Sequence, residues 1–491
     1  MAMLLPSLAL LVTIFFLVAR RKGLRKEPRH PPGPPSLPLI GNLHQYPYNS
    51  NLHICFSKLS YKYGPLIYMK IVKLPIIVIS SANLAKQALM HNDRAFSGRP
   101  CTIASAKLSY NNLDIVCSSY SSYWREMRKI IVLHLFTHKQ VHSFRPVRRD
   151  EVSRVINEIS KRANSNQVIN LGEIILSFTI GLTCRVAFGK RHEEYKRFDK
   201  VLDDLQTMMV GVFVADHFPS LGWIDKLTGM TSRLDKIFKD LDSFYQQLID
   251  EHLSPSRPNS MDGDVIDLLI QLREQHASIG WDNIKAILMN VFAAGTETSA
   301  VVLKWAMTAL MKKPSAMKKA QQEIRSLVGK KGRVEEDDID KLHYLKAVIK
   351  ETMRLYPPVP LSLPRETTER CTINGYEIEP KTWVFVNLWA IGRDPETWEN
   401  PNEFLPERFL NNTIDFKGQD FGLIPFGSGR RICPGLSLGV AAVELALANL
   451  LYSFDWELPD GMKEDDIDTE TLPGVTLRKK NDLCLVAKSY V

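Results

Sequence analysis

Cys433 lies in FGSGRRICPG, Phe426 to Gly435, a stretch whose residue types prepare one thiol for a metal. The glycines at 427, 429 and 435 allow tight turns and let the backbone approach a flat ligand closely. Pro434 is predicted to fit the first turn of a helix, GLSLGVAAVELALANLLYSF, running from Gly435 to about Phe454. Apolar residues cover nearly every face of that segment, which marks a buried element. A sulfur at such a helix start meets free N–H groups and the positive end of the dipole, so the thiolate is favoured. Arg430 and Arg431 add positive charge. With no second cysteine or histidine nearby, a four-ligand zinc cage fits poorly, and a single bond to haem iron fits well. The alternative for this string alone is a structural cysteine packed in a glycine-rich turn.

A second group of chemical residues lies in WDNIKAILMNVFAAGTETSAVVLKWAMTALMKK, Trp281 to Lys313, predicted as one long buried helix. Gly295 costs it about 1 kcal/mol against alanine, and Thr296, Glu297 and Thr298 add polar groups beside that weak point. Such local inconsistency is expected at functional sites. Ala294 and Thr298 share one face and would leave a shallow groove; the alternative is a threonine bonded one turn back and a carboxylate turned to solvent. In YWREMRKI, Trp124 and Arg128 are four apart on one predicted helix face, and in KETMRLYPP, Glu351 and Arg354 have ion-pair spacing. Neither pair is specific alone.

Taken in order, these motifs resemble the cytochrome P-450 family of haem-thiolate monooxygenases. The spacing Phe426, Gly429, Arg431, Cys433, Gly435 is similar to its haem signature, and AGTET, Ala294 to Thr298, to its oxygen-site pattern. The resemblance covers residues 31 to 491. YLKAVIKETMRLYPP, WAIGRDPETWENPNEFLPERF and DFGLIPFGSGRRICPG resemble the plant microsomal A-type branch. SFRPVRRDE, CRVAFGKR, FKGQDF and LPGVTLRKK resemble its subgroup with aldoxime-oxidising and other specialised-metabolism members. The chain departs from the common plant pattern in CSSYSSYW, where Ser119 and Ser121 replace the usual proline and glycine.

The resemblance implies a mainly α fold with small β-sheets, preceded by one N-terminal transmembrane helix. It implies heme b, with iron ligated by Cys433 and with Trp124, Arg128, Arg365 of LPRE and Arg431 serving its carboxylates. Ala294, Phe426, Gly429 and Gly435 would complete the cofactor site. Thr298 and Glu297 would manage hydrogen bonds and protons where O2 reacts, while Glu351, Arg354 and Arg408 of PNEFLPERF would form a buried structural triad beneath the cysteine loop. Electrons would come from NADPH through a separate NADPH-cytochrome P-450 reductase, since the chain has no flavin or nicotinamide fingerprint, and basic residues on the cysteine side would dock it. Substrate contacts are implied in 101–118, 205–214, 287–298, 359–364 and 471–476, apolar stretches with scattered hydroxyls that suit an uncharged molecule. The expected reaction inserts one atom of O2 into a small lipophilic plant metabolite of aldoxime, phenylpropanoid, flavonoid or terpenoid type. A haem-dependent dehydratase or isomerase and a non-catalytic haem scaffold are the alternatives; Thr298 and Glu297 argue against both.

Elements that must position these groups are legible too. The 491 residues, 45% hydrophobic and 24% charged, suffice for a sizeable core. A net charge of +9 without a long basic tract disfavours nucleic acid and suits an acidic partner or a membrane surface. Seven cysteines without paired spacing indicate a reducing compartment. Residues 1–26 hold an apolar run from Met3 to Ala19 and a basic stop, predicting a single-pass anchor in the endoplasmic reticulum membrane with the remaining chain in the cytosol. Residues 27–43 are a proline-rich hinge and 44–491 the haem-binding domain. Phe213 to Trp223 is an apolar stretch suited to dipping into lipid. Hairpins are predicted at 64–80, 375–390 and 474–487, with helices through most of 82–356.

Overall fold

β-Branched alternation on both sides of Lys73 closes the first predicted hairpin in the computed structural model, which describes residues 30–45, 50–165, 167–191, 204–205, 207–209, 211–257 and 263–490. Strand β1 (Leu66–Ile71) pairs antiparallel with β2 (Leu74–Ile79), setting Ile71 opposite Leu74. The strand-to-strand pairing at 375–390 is different from the expectation. There β5 (Cys371–Ile373) and β6 (Tyr376–Ile378) form a hairpin across Asn374-Gly375, whose φ values of 50° and 78° are those of a tight primed turn. That turn takes β6 backward, and β7 (Trp383–Val386), buried along three of its four residues, joins the large sheet instead. The sheet order is β1-β2-β7-β4, with β4 (Arg365–Glu366) at one edge. The third expected hairpin is also absent. Lys479-Lys480-Asn481-Asp482 interrupts the alternation, and only β9 (Cys484–Ser489) forms, between β8 (Phe454–Glu457) and the short β3 (Ile169–Asn170).

Helices supply the body. Those that bear on the site are α1 (Ser122–His134), α2 (Arg145–Ala163), α3 (Leu171–Phe188), α4 (Met230–Leu253), α5 (Trp281–Lys312), α6 (His343–Leu355) and α7 (Leu436–Ser453). Ser121 caps α1 by accepting the Trp124 N–H at 3.1 Å, a use for the serine that departs from the plant pattern. Helices α3, α5 and α7 are apolar and long enough to cross a membrane by length and composition, yet each is mostly buried inside the protein. They form the centre of the main hydrophobic core. Close packing of α3 on α5 explains Gly295: a Cβ there would lie 3.1 Å from Thr183 Oγ1. The glycine therefore serves a helix contact.

Before the sheet, the chain from residue 30 runs extended along β1. The Tyr68 N–H donates to Pro32 O at 2.9 Å, and a Cβ on Gly33 would fall 1.9 Å from Tyr68 O. Asn42 Nδ2 donates to Pro34 O and Pro35 O, both at 3.1 Å, bracing the turn that follows. The predicted anchor at 1–26 lies outside the described residues.

His53, buried beside Trp389, has its pKa pushed down to about 4 by burial and by the nearby Arg393. A base with a lowered folded pKa leaves the unfolded chain holding the extra proton between pH 4 and 6.5, so stability is full above 6.5 and falls as pH drops through this window. The pH dependence of chemical unfolding should lose roughly 3 kcal/mol across that window, and His53→Leu should flatten it.

Candidate active site

The cysteine loop is shaped by glycines that sequence alone would rank equally. Gly427 and Gly429 have φ values of 73° and 68°, a region that favours glycine. At Gly429 space is lacking as well, because a Cβ would stand 2.5 Å from Asp93 Oδ1 and 2.6 Å from Leu89 O. Asp93 also binds Arg430, with Nη1 at 2.9 Å, so it clamps the loop to the preceding helical segment. The Cys433 N–H donates to Phe426 O at 2.9 Å, and Phe426 packs edge-on against Phe416. Gly435 is the N-cap of α7, which begins at Leu436; Pro434 therefore precedes the helix and does not sit in its first turn. Withdrawal of Pro434 from the helix leaves the cysteine on a turn ahead of it.

Around the sulfur two influences oppose each other: burial pushes the Cys433 thiol up, while the Gly435 N–H and the neighbouring Arg128 pull it down. A bound metal would hold it as the thiolate.

The residues beyond the sulfur border open space inside the protein. On α7, Leu436 to Ala441 are half-buried, with Ser437 exposed, although mostly apolar, whereas from Ala442 to the end of the helix all but Glu444 are buried. Facing them on α5, Ala294 is exposed and Thr298 half-buried in the middle of an otherwise buried helix. Ser299 Oγ would lie 3.8 Å from a Cβ on Gly439, which fixes how closely the two helices approach there. Thr298 Oγ1 donates to Ala294 O at 2.7 Å, the bond one turn back foreseen as the alternative. Glu297 is not turned to solvent. Its Oε2 accepts the Thr476 hydroxyl at 2.6 Å, and Oε1 lies 3.2 Å from Arg478 Nε.

At the edge of this space, four buried or half-buried guanidinium groups converge. Arg431 donates to Ser97 O, Ile115 O and Ser118 O at 2.9, 3.2 and 2.7 Å. Arg365 donates to Phe96 O at 3.2 Å and Ser428 O at 3.0 Å. Arg128 donates to Ile432 O, next to the cysteine. Arg99, not singled out from the sequence, donates to Val116 O, Leu363 O and Pro364 O. Burial, followed by the charges of Arg99 and Arg365, lowers Arg431 to about 8; burial and Arg99 lower Arg365 to about 9. Asp114 and Asp93 oppose the shifts without cancelling them. Asp114 is fully buried and accepts N–H groups of Cys117 and Ser118 and the Asn290 side chain of α5, all within 2.9 to 3.0 Å. The Trp124 indole N–H donates to Ile115 O at 3.0 Å, and its ring face supports Arg431 at 4.1 Å. Arg99 was detectable only as a cation in Gly-Arg-Pro; pairing of Gly98 with Glu366 is what carries it to Arg365.

The structure brings Glu351, Arg354 and Arg408 together beneath this loop. Arg354 grips Glu351 with Nε and Nη2 at 2.6 and 2.8 Å, while Arg408 Nε lies 3.1 Å from Glu351 Oε1. Remaining guanidinium N–H groups go to Pro401 O and Glu403 O from Arg354 and to Glu399 O from Arg408. One helix, α6, is thereby fastened to the chain leading to the cysteine.

A half-buried thiol, an internal space between two apolar helices and an excess of buried cations fit a flat iron-bearing ligand with two carboxylates. They define a haem-thiolate class of protein with a mainly helical fold. Comparison with known proteins gives the particular family. The cytochrome P-450 family model matches residues 31–486, and the chain belongs to that family. It is 51% identical to 6,7,8-trihydroxycoumarin synthase of Pastinaca sativa, covering 94% of this chain and 93% of that one. It is 48% identical to 5-OH-xanthotoxin synthase of Ammi majus, over 99% and 97%, and 44% identical to strychnine-11-hydroxylase of Strychnos nux-vomica, over 99% and 97%. A zebra fish cytochrome P-450 solved with progesterone matches the fold at a TM-score of 0.76, with 24% identity, 90% of this chain and 100% of that one covered. The protein is a haem-thiolate monooxygenase, whose iron carries a cysteine ligand and which draws electrons from a redox partner.

Two substitutions check the scaffold. Glu351→Gln leaves two buried cations short of their counterion and should cost about 3–5 kcal/mol, read as a fall in unfolding midpoint together with lower haem content. Gly429→Ala should give a comparable loss of haem retention on gel filtration, whereas Gly461→Ala, also at positive φ but with open space around it, should retain haem.

Proposed function

We propose that Cys433 is the axial ligand of heme b and that Arg99, Arg128, Arg365 and Arg431 hold its two carboxylates, with Trp124 bracing Arg431. The observation that carries this reading is the mutual repulsion of those buried guanidinium groups, which two carboxylates would relieve. Bound haem supplies the iron at which dioxygen is activated, and a thiolate ligand pushes electron density toward O–O cleavage. Phe426, Gly429 and Gly435 shape the cysteine side of the ligand, and Ala294 keeps the opposite wall low.

Chemistry by the chain itself is then a matter of protons and exclusion of water. Because the Thr298 O–H is given to Ala294 O, its oxygen lone pairs are what it offers the open space. Thr298 thus accepts a hydrogen bond from a donor beside it and passes on a proton only by exchanging its own partner. Glu297, one residue earlier, is the acid that replenishes those protons. The apolar faces of α5 and α7 keep water out of the remaining space.

For the substrate we infer a small lipophilic plant specialised metabolite, with hydroxylation of a coumarin ring the first reaction to test because two relatives are named for such products. NADPH-cytochrome P-450 reductase is the proposed electron donor, docking on the cysteine side near exposed Arg430. Residues 1–26 are proposed as a single-pass anchor in the endoplasmic reticulum membrane, 27–43 as its hinge and 44–491 as the cytosolic catalytic domain. Exposed Trp223, Phe218, Leu221 and Leu227 form an apolar patch on the described part of the body that suits contact with the same lipid.

The test is a carbon monoxide difference spectrum on reduced microsomes, wild type against Cys433→Ala. Wild type should show the red-shifted Soret band of thiolate-ligated haem, and the variant should lack it. With reductase and NADPH, a panel of coumarins, aldoximes and alkaloids should yield a product carrying one atom of labelled dioxygen. A wild-type Soret band at the position of neutral-ligand haem would overturn the assignment of Cys433, and label-free product would overturn the monooxygenase step.

A further inference from the structure

Glu297 is restrained more firmly than a solvent-facing acid needs to be. Both carboxylate oxygens are engaged by loop 471–480, through Thr476 at 2.6 Å and Arg478 at 3.2 Å. Thr476 and Glu297 are each only 9% exposed, so the bond is made in a poorly solvated place where charge-assisted hydrogen bonds are strong. The loop segment is anchored between its two contacts. Leu477 donates its N–H to Pro358 O at 2.9 Å, and its carbonyl accepts the Trp305 indole N–H at 2.7 Å. Arg478 N–H closes on Thr476 O at 2.9 Å, a tight turn that presents both side chains to one carboxylate. Neighbouring residues on a helix do not share a face, so a carboxylate held in this way is directed differently from Thr298.

We propose that Thr476 and Arg478 are positioning residues for Glu297: they hold its carboxylate on loop 471–480, directed away from Thr298, and so set how readily this acid supplies protons. This rests on the reading of Glu297 as the proton source. The physical reason is economy of contacts. Loop and acid share one hydrogen bond and one ion pair, so displacement of one alters the other, whereas Trp305 and Pro358 hold Leu477 in place.

The test uses full-length holoenzyme with reductase and no added substrate, each variant compared per mole of thiolate-ligated haem. Two quantities are measured: amide hydrogen exchange across 471–480, and the pH profile of peroxide release (NADPH + H⁺ + O2 giving NADP⁺ + H2O2). Thr476→Val should speed exchange roughly tenfold and raise and reshape the peroxide profile, and Thr476→Ser should restore both. Placed on Glu297→Gln, Thr476→Val should change either quantity far less than on wild type, because the interaction is already weakened. Equal effects in both backgrounds, or exchange unchanged by Thr476→Val, would overturn the proposal. A Glu297→Gln peroxide profile identical to wild type would instead overturn the proton-source reading and the control of supply with it. The exchange cycle would still decide separately whether the loop is tied to the acid.

Discussion

Burying positive charge without enough negative charge is the constraint on which the site depends. Arg99, Arg128, Arg365 and Arg431 come from four distant parts of the chain and are desolvated together. Their N–H groups are satisfied by backbone carbonyls, which neutralise nothing, and burial lowers all four while Asp93 and Asp114 answer only in part. A dianionic ligand would complete this arrangement by supplying the missing negative charge.

Much of the surrounding structure keeps those cations and the thiol in register. Asp93 meets Arg430 and excludes any side chain at 429. Asp114 folds its loop around one carboxylate and ties it to Asn290, so the wall above the cations moves with α5. Glu351 fixes α6 to the Leu405–Arg408 turn. These three carboxylates lie on different elements, yet each converts a flexible connection into part of the frame. The sheet contributes through β4, since the pairing of Arg365 with Val384 on β7 sets where that guanidinium can reach.

Helix α5 shows how packing and chemistry share one stretch. Gly295 admits α3, Thr296 and Thr298 bond back to Phe292 and Ala294, and Glu297 turns to the C-terminal loop. A locally poor helix sequence is thus accounted for mostly by contacts with neighbours. What it leaves open is the strip at Ala294 and Thr298.

The sequence by itself determined whatever depends on local order: the cysteine string with its glycines, the long apolar helices, the first hairpin and the spacing of Glu351 with Arg354. It placed the haem-thiolate family because those motifs are contiguous and occur in order. It did not determine pairing between distant segments. The backward hairpin at Asn374-Gly375, a turn signal that was present and outweighed by the apolar run after it, changed the partner of β7. Arg99 and Asp93 carry no local mark, and nothing local ties Thr476 and Arg478 to Glu297, since a charged or hydroxyl residue in a loop looks the same whether it faces water or a buried partner. Tertiary structure decided their roles, because desolvation and Coulomb interaction depend on distance in space, and that distance is set only when the helices and sheet have packed.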